Sequence, residues 1–229
     1  MMIKPPQDHA GISSTYSSVV SIFPFLPLLG FVAALVSFGF CIGLVLVPFF
    51  GDRYQGSLGF ISDGMDFYCG WSSAVLCSCG LFIAACEVVA ALHTHISSSL
   101  LLAVFIQTPS WCIIIGVSGT GWHVHYAALT FFMLATFYFH WRFAAAHTLA
   151  YRVRIYRTAN RLTAFNLVAF FLSFVVLEVM QQPYPRRIAK DVAVSLEITL
   201  LCCITAQTCC LLWVLLQYTN IHIRFDHDE

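Results

Sequence analysis

The sequence predicts an all-α membrane protein, a bundle of six transmembrane helices joined by short loops. Hydrophobic residues make up 59% of the 229-residue chain and charged residues only 10%, and the mean hydropathy is +0.82. A water-soluble domain carries roughly 25% charged residues, so this chain has too few to cover its surface in water. Apolar runs close to the roughly 20 residues needed to cross the hydrocarbon core also recur along it.

Six apolar segments define the predicted domain organisation. They cover residues 25–48, 67–92, 97–118, 123–143, 160–180 and 192–217. A transmembrane domain over residues 23–217 therefore lies between an N-terminal tail, residues 1–22, and a C-terminal tail, residues 218–229. The first segment is longer than the apolar region of a signal peptide, so we expect it to be retained as a signal anchor.

The distribution of Lys and Arg predicts the orientation, because cytosolic loops are enriched in both. With both tails and the loop between the fourth and fifth segments in the cytosol, seven basic residues face the cytosol and four face the opposite, lumenal side. The cytosolic set is Lys4, Arg142, Arg152, Arg154, Arg157, Arg161 and Arg224, and the lumenal set is Arg53, Arg186, Arg187 and Lys190. The net charge is zero, which gives no reason to expect nucleic acid as a partner.

Small residues and cysteines are interpreted as packing residues. Gly39 and Gly43 form a GxxxG pattern in the first segment, and small residues let helices approach closely in lipid. In a six-helix bundle this pattern favours internal packing over dimerisation. The chain has ten cysteines. Most of them lie inside apolar segments, where Cys behaves as a small hydrophobic residue.

Ionisable residues at membrane depth mark a functional site or a buried pair. In the predicted orientation six of them fall near the lumenal interface: Asp63, Asp66, His123, His125, Glu178 and Glu197. Glu197 lies about six residues into the sixth segment, roughly 9 Å deep at 1.5 Å per residue. His123 and His125 are two residues apart, so they point in nearly opposite directions on a helix. We expect one to face the bundle and the other the lipid headgroups.

These residues give a candidate site without a firm catalytic assignment. A histidine–carboxylate pair can act as a general base, so His123, His125 and Glu197 are the candidate catalytic residues, and whether catalysis occurs stays open. A basic cluster beside a membrane can hold a lipid phosphate. The candidate headgroup-binding residues are Asp63, Asp66, Glu178, Arg186, Arg187 and Lys190. Asn166 and Glu87 are expected to make polar helix–helix contacts.

Metal and haem sites are disfavoured by the histidine spacing. A zinc hydrolase would use an HxxxH pair, whose histidines share a helix face, whereas HTH (93–95) and HVH (123–125) put them two apart. A haem pair needs imidazoles that face each other at matching depth, and His147 shares the cytosolic level with HTH without a second matched level. No cofactor is therefore predicted.

Four stretches of the sequence resemble one family of membrane proteins. FISDG (60–64) resembles the Ile-Ser-Asp of the first lumenal loop in the damage-regulated autophagy modulators, and HVHYAALTFFM (123–133) is similar to their fourth span. RLTAFNLVAFF (161–171) resembles the start of span five in the GPI post-attachment remodelling factor, and SLEIT (195–199) its Leu-Glu-x-Thr at span six. The chain thus resembles the FRAG/DRAM/SFK-type six-span family. CCITAQTCC (202–210) stands where the GPI factor carries an Asn and a Phe-His pair.

This resemblance implies that His123 or His125 belongs to a polar site with Glu197 and Asn166 on neighbouring helices. It also implies a role in membrane lipid handling, foremost GPI-anchor lipid remodelling in the endoplasmic reticulum or Golgi. The expected partners are membrane lipids, with GPI-anchored proteins or other membrane subunits as further partners. Two alternatives stay open: a non-enzymatic modulator of autophagic or lysosomal membranes, and a structural subunit of a larger, for example respiratory, membrane complex. Lysosomal, plasma and mitochondrial membranes are the corresponding alternative locations.

Overall fold

The computed structural model describes residues 25–50, 60–61, 70–94, 96–116, 122–147, 153–179 and 183–225, and this part of the chain is helical without any strand. It forms six helices: α1 (Leu26–Phe50), α2 (Trp71–Leu92), α3 (Ser97–Gly116), α4 (Trp122–Ala146), α5 (Arg154–Val179) and α6 (Pro183–Phe225). Each helix covers most or all of one of the six apolar segments. The all-α prediction is therefore confirmed for the described residues.

The last two helices begin earlier than the apolar segments that predict them. α5 starts at Arg154 and includes the polar sequence RIYRTA, and α6 starts at Pro183, nine residues before the predicted segment. Proline is well tolerated in the first helical turn, where its missing N–H has no helical partner. Hydropathy marks where a chain becomes apolar, and a helix can continue beyond that point.

Of the six described helices, five are long and apolar enough to cross a membrane, which supports an integral membrane protein with several spans. The five stretches are Leu26–Leu46, Trp71–Leu92, Ser97–Gly116, Arg154–Leu177 and Ile188–Gln217. α4 has 25 residues and is long enough, but it contains no stretch as apolar as these five. The prediction of six spans is thus supported for five helices.

The six helices pack in chain order around a closed ring. Each helix contacts the next, α6 returns to α1, and α2 and α6 also touch across the ring. Consecutive helices are antiparallel: the Ser73 hydroxyl at the start of α2 donates to the Ile115 carbonyl at the end of α3, 3.5 Å away. One end of the bundle, the Trp71 end, therefore carries the starts of α2, α4 and α6. The opposite end is called the Leu92 end.

The packing role predicted for the GxxxG pattern is wrong. Gly39 and Gly43 lie on the exposed face of α1, and nothing lies within 4 Å of a Cβ built at either position. The close approaches occur at other glycines. A Cβ at Gly30 would lie 2.6 Å from the Cys86 sulfur, and one at Gly80 2.5 Å from the Trp111 ring. A GxxxG pattern does not specify which side of its helix faces inward.

Candidate functional site

Glu197 lies on α6 near the Trp71 end and holds the segment that precedes α2. Its Oε2 atom accepts a hydrogen bond from the backbone N–H of Ile61, with an N–O distance of 3.2 Å. Lys190 lies two helical turns earlier on the same side of α6, and its Nζ atom lies 5.7 Å from the centre of the Phe60 ring. Both contacts fix residues 60–61 against α6.

His125 and Glu197 line one cavity of about 70 Å³. His125 is half-buried in the first turn of α4, where its ring packs against Tyr126 with 5.9 Å between the ring centres. The remaining walls are mostly apolar and include Trp111, Leu129 and Phe132. The structure therefore brings an imidazole from α4 and a carboxylate from α6 to the walls of one cavity at the Trp71 end.

For most of the other predicted site residues, the structure describes only the backbone or does not describe the residue. Asp63 and Asp66 lie outside the described residues. His123, Glu178, Arg186 and Arg187 have helical backbones at the Trp71 end, and their side chains lie outside the described part of the structure. Glu197 lies fourteen residues after the start of α6, rather than six, because that helix begins at Pro183.

A second polar cluster lies deeper, between α2, α3 and α4. Glu87 is 1% exposed, and its Oε2 atom accepts a hydrogen bond from the side-chain amide of Gln107. The hydroxyl of Thr136 donates to the Oε1 atom of Gln107 at 3.3 Å. Gln107 therefore joins a carboxylate on α2 to a hydroxyl on α4, so Glu87 makes an interhelical polar contact.

His140 connects this cluster to α5. Its imidazole is fully buried, and its Nδ1 atom lies 2.7 Å from the hydroxyl of Tyr156. Its Nε2 atom has no hydrogen-bond partner among the described residues and lies 3.9 Å from Oε1 of Glu87. Three titratable side chains, from α2, α4 and α5, are thus placed in a row inside the bundle.

Further polar contacts join α4, α5 and α6. The Asn160 amide donates to the backbone carbonyl of His140 at 3.3 Å, and Gln207 donates to Oδ1 of Asn160 at 2.6 Å. Nearer the middle of α5, the Asn166 amide lies 3.9 Å from the Cys203 sulfur and donates to it. These contacts place Asn166 between two helices rather than at the cavity that His125 and Glu197 line.

A cavity of about 100 Å³, called the central cavity, lies between α1, α2, α3, α4 and α6, beside Glu87. Gln107 and Thr136 also line it, and it shares walls with the His125–Glu197 cavity at Trp111, Phe132, Leu201 and Ile204. Trp111 and Phe132 pack against each other with 5.0 Å between their ring centres, and the indole N–H donates to the Leu76 carbonyl at 3.0 Å. This aromatic pair is part of the partition between the two cavities.

The sequence did not predict the deep polar cluster around Glu87, Gln107 and His140, apart from the polar helix–helix contact of Glu87. Its signal was the presence of single polar residues inside apolar runs, such as Gln107 in LLLAVFIQT and His140 in FYFHW. Such a residue has to face protein rather than lipid, because an unsatisfied polar group in hydrocarbon costs several kcal/mol, of order 2–7. Sequence spacing alone did not indicate which of these residues meet.

Comparison with known proteins gives no relative from which to transfer a function. The sequence matches no family model and no curated protein, and the fold matches no solved structure. Within the described residues, no three His, Cys, Asp or Glu side chains are grouped closely enough to hold a metal ion. The geometry of the two cavities described above is therefore the structural basis for proposing a function.

Proposed function

We propose that this chain is a six-span membrane protein that handles membrane lipid at the lumenal interface, with the Trp71 end in the lumen. The observation that carries this proposal is the cavity shared by His125 and Glu197. It combines two groups that can bind or transfer a proton with walls that suit an acyl chain or the apolar part of a headgroup. The distribution of Lys and Arg supports the orientation.

In this proposal α4 is the sixth span. Its 25 residues extend about 37 Å, more than the roughly 30 Å of hydrocarbon. The polar side chains of α4 can avoid the hydrocarbon. Thr136 and His140 are buried in the bundle, and Arg142 lies near the Leu92 end, where a long side chain reaches the headgroups.

The chemistry of the site follows from its two titratable groups. A carboxylate or an imidazole that lines a cavity can accept a proton from a hydroxyl, and the carboxylate can also hold the hydroxyls or amine of a lipid headgroup by hydrogen bonds. Lys190 lies on the same side of α6, and a cationic side chain there attracts a lipid phosphate. The substrate class that fits is a glycerolipid with a polar, phosphate-containing headgroup.

GPI-anchor lipid remodelling is the process we propose, on the resemblance of RLTAFNLVAFF and SLEIT to the GPI remodelling factor. The test is the surface level of a GPI-anchored reporter in cells that lack the protein and re-express Glu197→Gln or His125→Ala. We expect both variants to restore the level less well than the wild type. Ser195→Ala is the matched control, because its exposed hydroxyl only bonds the Asp191 carbonyl in its own helix.

A modulator of autophagic or lysosomal membranes is the second candidate. It is favoured by the resemblance of FISDG to the autophagy modulators, because Ile61 of this stretch is the residue that donates to Glu197. Microscopy of the tagged full chain separates the two functions. Residence in the endoplasmic reticulum or Golgi supports the first, and residence in lysosomes supports the second.

A further inference from the structure

We propose that the bundle interior carries a proton relay formed by Glu87, His140 and Tyr156 and fed from the central cavity. The proposal does not depend on the lipid function, because it uses different residues. Acidic and histidine side chains inside membrane bundles are expensive to bury, and chains of them commonly conduct protons. Here the three side chains come from three helices and lie in one row.

Gln107 orients the carboxylate of Glu87, the first group of the relay. Its amide donates to the Oε2 atom of Glu87, which leaves Oε1 to face His140. Glu87 lines the central cavity, whereas His140 lies behind it, away from the cavity walls. The carboxylate therefore stands between the cavity and the imidazole.

The central cavity has room for water next to this carboxylate. Its volume of about 100 Å³ is several times the 10–15 Å³ that one water molecule needs. A buried water also needs two to four polar partners, and Glu87, Gln107 and Thr136 supply them. Water in this space would bring protons to Glu87.

The second step passes through the imidazole, whose two nitrogens face different partners. In the starting arrangement Glu87 is ionised, the Nε2 atom of His140 carries no proton, and Nδ1 carries the ring proton and donates it to the hydroxyl oxygen of Tyr156. When Glu87 takes up a proton from cavity water and passes it to Nε2, Nδ1 gives its own proton to the Tyr156 oxygen, and Tyr156 releases its hydroxyl proton to water that enters from the Leu92 end. One proton enters at Glu87 and one leaves at Tyr156, so the charge balances.

The distance from Nε2 to Oε1, 3.9 Å, is longer than a hydrogen bond and has to shorten for the transfer. Few groups compete for this proton. Among the described residues, the titratable groups that interact with the row are Cys86 on α2 and Cys210 on α6. α1 and α3 contribute Ser37 and Gln107 to the cavity beside Glu87, and neither ionises.

The relay of Glu87, His140 and Tyr156 has a neighbouring cavity on one side and the Leu92 end of the bundle on the other. On one side, the central cavity shares the Trp111–Phe132 partition with the cavity that His125 and Glu197 line. On the other side, Tyr156 lies in the first turn of α5 at the Leu92 end. A small displacement of the aromatic pair would join the two cavities, so we propose that protons cross the bundle between these ends.

The test is proton flux through the purified full chain in phosphatidylcholine vesicles, driven by a potassium diffusion potential and read from an enclosed pH dye. We expect wild-type flux above that of protein-free vesicles. Glu87→Gln keeps the side-chain shape and Tyr156→Phe keeps the ring, and each should lower the flux by about tenfold or more, as for other proton-transfer groups. Ser173→Ala removes a hydroxyl that bonds only within α5 and should leave the flux unchanged.

Three outcomes would overturn the relay. The first is wild-type flux no higher than in protein-free vesicles. The second is unchanged flux in Glu87→Gln, and the third is unchanged flux in Tyr156→Phe. Thermal unfolding of each purified variant in detergent checks that a lost flux does not come from an unfolded protein, and Tyr156→Phe is the milder change if Glu87→Gln does not fold.

Discussion

The backbone N–H of Ile61 donates to the carboxylate of Glu197 across 136 residues of sequence, with 3.2 Å between the two atoms. This bond fastens the segment before α2 onto α6, next to the cavity that His125 also lines. Glu197 therefore has a structural contact as well as a place at the cavity. A substitution that tests its chemistry has to preserve an oxygen that accepts this bond.

Glu197→Ala should therefore destabilise the protein more than Glu197→Gln. The alanine variant leaves the Ile61 N–H without its acceptor, at a cost of about 1–3 kcal/mol, whereas glutamine keeps an acceptor oxygen. Thermal unfolding in detergent measures the difference. Equal stability of the two variants would show that the Ile61 bond contributes nothing.

Glu87 and Gln107 should behave as an energetically coupled pair. Glu87→Leu leaves the buried amide of Gln107 without its acceptor, and we expect a loss of about 1–3 kcal/mol. The double variant with Gln107→Leu removes both polar groups and should lose less than the sum of the single variants. A double-mutant cycle by chemical unfolding measures this coupling, and strictly additive losses would contradict the contact.

Gly80→Ala should destabilise the bundle, because the new Cβ would lie 2.5 Å from the Trp111 ring. Displacing this ring also threatens the indole hydrogen bond to Leu76. Overpacking of this kind costs about 1–3 kcal/mol. Gly39→Ala is the matched control, since its Cβ meets nothing within 4 Å and should leave the unfolding temperature unchanged or slightly higher. Equal effects at the two glycines would argue against the packing of α2 on α3.

His147 should make the protein less stable in acid. It follows α4 at the Leu92 end, and burial, with a smaller contribution from His93, lowers its pKa from 6.5 to about 4. The folded state therefore binds this proton more weakly than the unfolded state, so its contribution to stability is lost as the pH falls from about 6.5 toward 4. Unfolding temperatures across this range should fall less steeply in His147→Gln than in the wild type. Parallel curves would contradict the lowered pKa.

The helices were predictable because each contains a long, mostly apolar run, and in five of them this run is long and apolar enough to cross a membrane. Their rotation about their own axes was not, because the lipid-facing surface is as apolar as the interior. Phe105 is 77% exposed and Phe139 fully buried, yet both lie in similar apolar surroundings in the sequence. The helix faces that meet can be predicted only when the rotation of each helix about its axis is known. Because this rotation was unknown, the contact between His140 and Tyr156 was not predicted.

At the Trp71 end, the depth of the polar residues could be predicted from the sequence. Depth along a helix follows from counting residues, so His125 and Glu197 could be assigned to one level before their shared cavity was known. Counting did not give the start of α6, because PYPRRIAKD is polar but helical. It also could not choose between His123 and His125 as the inward-facing residue, which depends on the rotation of α4.

The central claim is that Glu197 acts on membrane lipid at the Trp71 end. Its most direct test is mass spectrometry of the lipid released from GPI-anchored proteins of cells that lack the protein and re-express the wild type, Glu197→Gln or the Ser195→Ala control at equal levels. We expect the wild type and the control to restore the normal anchor lipid, and Glu197→Gln to leave it as in the deletion. Normal anchor lipid in cells with Glu197→Gln, or in the deletion itself, would contradict the claim.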